Sequence, residues 1–156
     1  MRIEVYVETL LVDYLERLQT LHEDFIATFA DLPAEALDWQ PGADMNSLCV
    51  LVVHTTGSAR YWIGLAVDDV PDRNRDMEFQ ARGLSIVELK ARFAKLETYV
   101  QGALERITSA ELEIIRARPE YRDEQVTSGW ALLHALEHTG LHLGHAQITR
   151  QLWQQR

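Results

Sequence analysis

Apolar residues recur with the period of a helix along most of the chain. From about residue 7 to 30, Leu11, Tyr14, Leu15, Leu18, Phe25 and Phe29 share one stripe, with Asp13, Glu16, Arg17 and Glu23 on other faces. Pro33 suits the first turn of a short helix over residues 33–37. A breaker-rich loop follows over residues 39–45. Asn46 or Ser47 caps a second helix that runs to about Val67, with Val50, Val53, His54, Gly57 and Tyr61 on one stripe. The polar stretch 68–83 is the longest loop and the segment expected to move most. Ser85 and Glu88 form a capping box for a third helix, in which Leu89, Phe93, Leu96, Val100 and Leu104 keep the period to about Ile107. Thr108 and Glu111 form a second box for a short helix ending near Arg116. Residues 118–126 are polar and break helicity. Thr127 or Ser128 then caps a last helix reaching almost to the C-terminus. No strand is expected. Four long amphipathic helices predict an all-α four-helix bundle, one domain over residues 1–156, with short extra helices and connections long enough for a crossover.

Composition narrows the function more than the fold. The chain has 156 residues, 47% hydrophobic and 25% charged, enough for one sizeable core. Its net charge is -9, which argues against a phosphate backbone or an anionic membrane as partner. A neutral or small substrate is the simpler expectation. The single cysteine, Cys49, rules out an intrachain disulfide and fits a reducing cytosol. The opening residues hold no apolar stretch of signal-peptide length, and the longest apolar run, 48–53, is too short to span a bilayer. A cytoplasmic location is expected.

The chemistry concentrates in the last helix. His134, His138, His142 and His145 fall within an arc of roughly 80° at ~100° per residue. Trp130, Leu141, Ile148 and Leu152 share that arc, so the stripe is expected to face the core. Buried imidazoles need partners for their nitrogens, and several in one place commonly share a metal ion. A mononuclear site with three protein ligands needs a third group from another helix. His54 is the only histidine of the second helix and also lies on an apolar stripe. Taken alone, His54 reads as a core histidine bonded to a backbone carbonyl; beside the cluster, the metal reading is better. The pairs His134/His138, His138/His142 and His142/His145 all have usable spacing, and composition does not choose between them. His22 reads as structural or interfacial. Cys49, turned ~140° from His54 on the helix, reads as a small buried hydrophobe. Trp39, Tyr61, Trp62 and Trp130 are candidates for a pocket wall. There is no phosphate loop, no His-Glu-x-x-His pair and no nucleophile elbow. Glu137, beside His138, is not assigned the role of a base.

Three stretches carry a family resemblance: Leu37-Asp-Trp-Gln-Pro-Gly-Ala-Asp-Met-Asn-Ser-Leu, Val52-Val-His-Thr with the later pair Tyr61-Trp62, and Glu137-His-Thr-Gly-Leu-His-Leu-Gly-His. In these the chain resembles the DinB/YfiT-like superfamily of metal-dependent enzymes over nearly its whole length. The resemblance implies that His54, His138 and His142 are the metal triad and that His134 and His145 stand outside it. It implies a four-helix bundle, a homodimer, a divalent metal such as nickel or zinc, and a small-molecule substrate. Better-understood relatives are transferases and isomerases that use the thiols bacillithiol or mycothiol. The implied function is a thiol-dependent S-transferase or isomerase acting on a small electrophile, with a low-molecular-weight thiol as co-substrate. The alternatives are a metal-dependent hydrolase of a small ester or amide and a non-catalytic, metal-binding dimeric module. Nothing points to nucleic-acid binding.

Overall fold

The computed structural model describes the backbone of residues 2–118 and 121–156, and their side chains except those of 2–6 and 121–123. The order of elements is α1 (Arg2–Ala27), α2 (Ala34–Leu37), α3 (Leu48–Ala66), α4 (Arg75–Glu78), α5 (Ile86–Leu104), α6 (Ser109–Leu112), β1 (Ile115–Arg118), β2 (Tyr121–Thr127) and α7 (Ser128–Gln154). The caps fall among the candidates in the sequence: Ser47 and not Asn46 for α3, Thr127 and not Ser128 for α7. Ser47 Oγ accepts from Val50 N, Thr127 Oγ1 accepts from Trp130 N, and Ser85 with Glu88 completes a reciprocal capping box. Each satisfies a backbone donor that the first helical turn leaves unpaired.

Two apolar clusters fill the bundle and reveal its topology. One joins Tyr14 and Leu18 of α1 to the C-terminal halves of α3 and α5 and to Ala131, Leu132 and Ala135 at the start of α7. The other joins Phe25 and Phe29 to Leu48, Cys49, Leu51 and Val52 of α3, Leu89 and Phe93 of α5, and Leu143, Ala146 and Trp153 late in α7. Thus α1 runs parallel to α7, and α3 runs parallel to α5, opposite to the first pair. The helices pack α1–α7–α3–α5 around the bundle, so α1 and α3 are diagonal, as are α5 and α7. Two parallel neighbours cannot be joined by a tight turn. The connection from α3 to α5 must climb back along the 19-residue length of α3, about 28 Å at 1.5 Å per residue. Residues 67–85 form this strap, with α4 within it. It covers a face of α3 that the other helices leave open, and 17 residues of α3 are buried.

The strap is tied down where the sequence led one to expect the most mobile loop. Arg60 grips Asp69 through its carboxylate and its carbonyl (3.0 and 2.9 Å), and Tyr99 donates to the same carboxylate at 2.8 Å. The far end is held by Gly83 N donating to Asp38 Oδ2 at 2.8 Å. The strap's polarity reflects its anchors. Its two ends use left-handed backbone, at Asp68 (φ 58°) and Gly83 (φ 75°), the conformation glycine adopts at no steric cost.

Two further expectations are corrected. The polar stretch after α6 is not loop: β1 and β2 pair antiparallel, Ile115 opposite Thr127 and Ala117 opposite Gln125, with an irregularity at Ala117/Arg118. The segment alternates too weakly in hydrophobicity to announce a strand. And the core face of α7 is not the stripe of large apolar residues. It is lined mostly by the small residues Ala131, Ala135, Thr139, Ala146 and Thr149, which let α7 lie close against α3, with Leu132, Leu143 and Trp153 the larger side chains among them. Trp130, Leu141, Ile148 and Leu152 stay exposed, between 38% and 57%. The histidines stand on the border between these faces. No helix among the described residues is long and apolar enough to cross a membrane.

Candidate metal centre

A polar layer separates the two apolar clusters at mid-height. His54, Thr55, Thr56 and Ser58 of α3 meet His138, Thr139 and His142 of α7 there. The threonine hydroxyls of Thr56 and Thr139 bond back into their own helices at 2.8 Å, to Val52 O and Ala135 O. The imidazoles have no such local outlet, and they turn to one another. His54 lies with its ring centroid 5.0 Å from that of His138 and 4.9 Å from that of His142, and the latter two are 4.3 Å apart. One ligand nitrogen from each of the three lies within 4.8 Å of the others.

The nitrogens fit a cation. His138 Nε2 and His142 Nε2 approach to 3.2 Å. Two nitrogens bound tetrahedrally at ~2.0–2.1 Å from zinc stand about 3.3–3.4 Å apart, so the spacing is that of a ligand pair. A simple N–H···N bond would explain that pair but not the third imidazole. The orientation of His54 supplies the distinction. Glu78 Oε2 lies 2.9 Å from its Nδ1, and a carboxylate there requires the proton on Nδ1, leaving the Nε2 lone pair free to ligate.

Glu78 is the residue that sequence reasoning missed. It sits on α4, in the strap, 24 positions from His54. Arg73 holds it from the other side with two bonds, Nε to Oε1 at 2.7 Å and Nη2 to Oε2 at 2.8 Å. Burial pushes the Glu78 carboxyl up, but the bonds and charges of Arg73 and His54 outweigh it and hold it below its ordinary range. Gly57 makes this reach possible. A Cβ at that position would meet Glu78 Oε1 at 2.3 Å. The signal available in the sequence was a glycine three residues after His54, in a helix with no turn to make.

His145 lies outside the triad but touches it, its Nδ1 3.2 Å from His142 Nδ1, where it can orient that ring. His134 stacks on Trp130 with centroids 4.9 Å apart and packs edge-on to Trp62. Trp130, Tyr61 and Trp62 therefore gather near the histidines, whereas Trp39 packs against Trp153 in the second apolar cluster and walls no part of the site. Cys49 is fully buried in that same cluster, and burial pushes its thiol up. His22 is structural, buried against Phe93 with Nδ1 3.0 Å from Glu97 Oε1.

Burial, reinforced by the neighbouring imidazoles, pushes His138 down to about 3 and His142 to about 4. Burial also lowers His22 and His134. All four are neutral at pH 7, the state a ligand needs. Their folded values lie below the unfolded value, so the unfolded chain takes up protons first as pH falls. The metal-free protein is thus expected to lose stability steadily from about pH 6.5 downward. Glu78, whose folded value is depressed, adds a further loss below its ordinary range. The urea midpoint should fall between pH 7.5, 6 and 5; a flat or rising series would contradict this picture.

Comparison with known proteins agrees with the architecture. A conserved protein from Enterococcus faecalis superposes with a TM-score of 0.74 at 19% identity, over 92% of this chain and 96% of its own. YfiT from Bacillus subtilis, described as a probable metal-dependent hydrolase with an unusual four-helix bundle topology, superposes with a TM-score of 0.75 at 12% identity, over 90% of this chain and 86% of its own. A DinB family member from Shewanella denitrificans gives 0.64 at 19% identity, over 95% and 88%. No curated protein matches. The sequence pattern of the DinB superfamily matches residues 17–146, the span that holds all three converging histidines, and the chain belongs to that superfamily.

Proposed function

We propose that this protein is a divalent-metal enzyme in which His54, His138 and His142 hold nickel or zinc and a low-molecular-weight thiol is transferred to, or isomerises, a small electrophile. The observation that carries the reading is the convergence of three imidazoles beside a cavity of about 300 Å³ lined by His54 and His138. A cation there lowers the pKa of a water or thiol bound to it. Three neutral ligands leave its charge uncompensated, and the cavity gives a second molecule room.

The choice of a thiol rests on what the chain does not offer. Cys49 is buried away from the site, so the nucleophile comes from outside. Glu78, the carboxylate bonded to His54, is committed to His54 and Arg73 and is a poor base. A free thiol, with a pKa of about 8.5, ionises far more readily than water and needs no base. Metal-loaded protein, supplied with glutathione, cysteine or bacillithiol and with monobromobimane or 1-chloro-2,4-dinitrobenzene, should form conjugate well above the rate of the chelated control. Equal rates would sink the transferase reading.

Hydrolysis of a small ester or amide is the second reading. It is favoured by His134, neutral and at the cavity wall, and by the likeness to YfiT. Metal-dependent cleavage of p-nitrophenyl acetate without thiol would select it. If neither reaction is metal-dependent, a non-catalytic binding module remains.

A homodimer is proposed through the exposed stripe of α7. Trp130, Leu141, Ile148 and Leu152 run along it for 22 residues, about 33 Å. A helix face of this kind can pack on its own copy about a twofold axis. The double substitution Leu141→Glu with Ile148→Glu should halve the mass measured by light scattering, and a monomeric parent protein would end the proposal.

A further inference from the structure

The cavity beside the histidines has a charge at odds with the chain that surrounds it. The whole protein carries 15 basic and 24 acidic residues, yet three arginines, Arg73, Arg75 and Arg118, line this one cavity. Arg73 is matched by Glu78, and Arg118 is paired with Glu124. Arg75 meets no carboxylate among the described residues; it is exposed, with its guanidinium 4.9 Å from the centre of the Phe79 ring. Phe79 in turn lies on His54, ring centroids 4.6 Å apart. Arg75 is thus layered through Phe79 onto a histidine of the triad. On the other wall, the Arg118 guanidinium stands 4.7 Å from the centre of the Trp62 ring, which holds its plane in place. Arg73 and Arg118 thus face carboxylates already, and Arg75 is the guanidinium of this wall that no described carboxylate offsets. A divalent cation held by the histidines would add to the positive field.

We infer that the small molecule taken by this cavity carries a carboxylate, held by Arg75 with Arg118 beside it, while its reacting end faces the histidines. This rests on the reading of the cavity as the substrate site. Guanidinium groups offer planar, paired donors that match a carboxylate. Trp62 and Tyr61 supply the apolar wall that packs the body of such a molecule. About 300 Å³ gives room for a compact acid. The net charge of -9 made a neutral or small substrate the simpler expectation. The local field keeps the small molecule but gives it a charge, because a cavity with low-dielectric walls feels the charges lining it more than the distant surface.

The test compares benzoate with its uncharged isostere benzamide, following tryptophan fluorescence and confirming by calorimetry. The full chain is used both zinc-loaded and after chelation. Benzoate should bind at least about tenfold more tightly than benzamide, as befits a charge-assisted hydrogen bond. Arg75→Gln, an exposed substitution without risk to the fold, should remove about tenfold of benzoate affinity and leave benzamide unchanged. Arg17→Gln, on the outer face of α1, should change neither. Persistence of the preference in chelated protein would assign it to the arginines, even if no metal is ever found bound. Equal binding of the two probes, no detectable benzoate binding, or an Arg75→Gln variant with full affinity would each overturn the inference. Zinc-loaded protein that prefers benzoate only while zinc is present would overturn it too, because the carboxylate would then be reading the metal.

Discussion

His138→Ala is expected to leave a folded protein that retains no metal after desalting, against one ion per chain for the parent. His54→Ala and His142→Ala should behave alike, since each removes one of three converging nitrogens. The effect should be visible in stability as well as stoichiometry. Metal that binds only the folded chain adds about 4 kcal/mol at a free concentration a thousand times Kd. For a domain of this size that raises Tm by roughly 10 °C. Added zinc should produce such a rise in the parent and none in the three variants. His134→Ala and His22→Ala should keep both the ion and the rise. A His138→Ala protein that still holds one ion would remove that residue from the site. The substitution has a second signature without metal. His138 is the imidazole most strongly pushed down by its surroundings, so its loss should flatten the fall in stability between pH 6.5 and 4.

The second large effect belongs to Glu78→Ala. It strips Arg73 of its partner in a place where both side chains are almost buried, 11% and 10% exposed. Breaking one side of such a pair costs about 3–5 kcal/mol. It also frees His54 to rotate or to move its proton to the ligating nitrogen. The loss of a carboxylate behind a ligating histidine typically weakens metal binding by about 10–100-fold. Gly57→Ala is the control that depends on geometry alone, since it removes no charge and no hydrogen bond. Its added methyl group would have to displace Glu78, and it should reproduce much of the loss in metal affinity. Metal titrations monitored by calorimetry would show both. Full affinity in Gly57→Ala would mean that Glu78 does not hold His54 as described.

What could be read from the residues beforehand follows a physical division. Ser47, Ser85 and Thr127 were legible as caps because a cap is a bond across three residues and needs no knowledge of the fold. The bundle was legible because four long apolar periods have few ways to hide from water. The triad was legible only in part. The residues alone joined His54 to the cluster on the last helix, but spacing left three pairs open there, and choosing His138 with His142 took the family resemblance. The face of α7 was misread because large apolar side chains were expected inward. Where two helices run in close contact, the inner positions go to alanine and threonine, and the bulky residues are left outside. Glu78 was illegible for a different reason. Nothing within the strap reveals which helix it will lie on, and its polar residues look like those of any solvated loop. The hairpin shared that fault, since its pairing partners carry little apolar alternation.

The return path between the two parallel helices has a meaning for how such proteins diversify. It delivers Arg73, Arg75 and Glu78 to the chemistry from a single uninterrupted stretch whose ends are fastened at Asp69 and Gly83. A new insert spliced between those fastenings could redraw the acid-recognising wall while every rod of the scaffold kept its sequence. Any such insert would have to keep Glu78 within reach of His54, so selectivity can drift in one short cassette only as far as the imidazole behind it stays anchored.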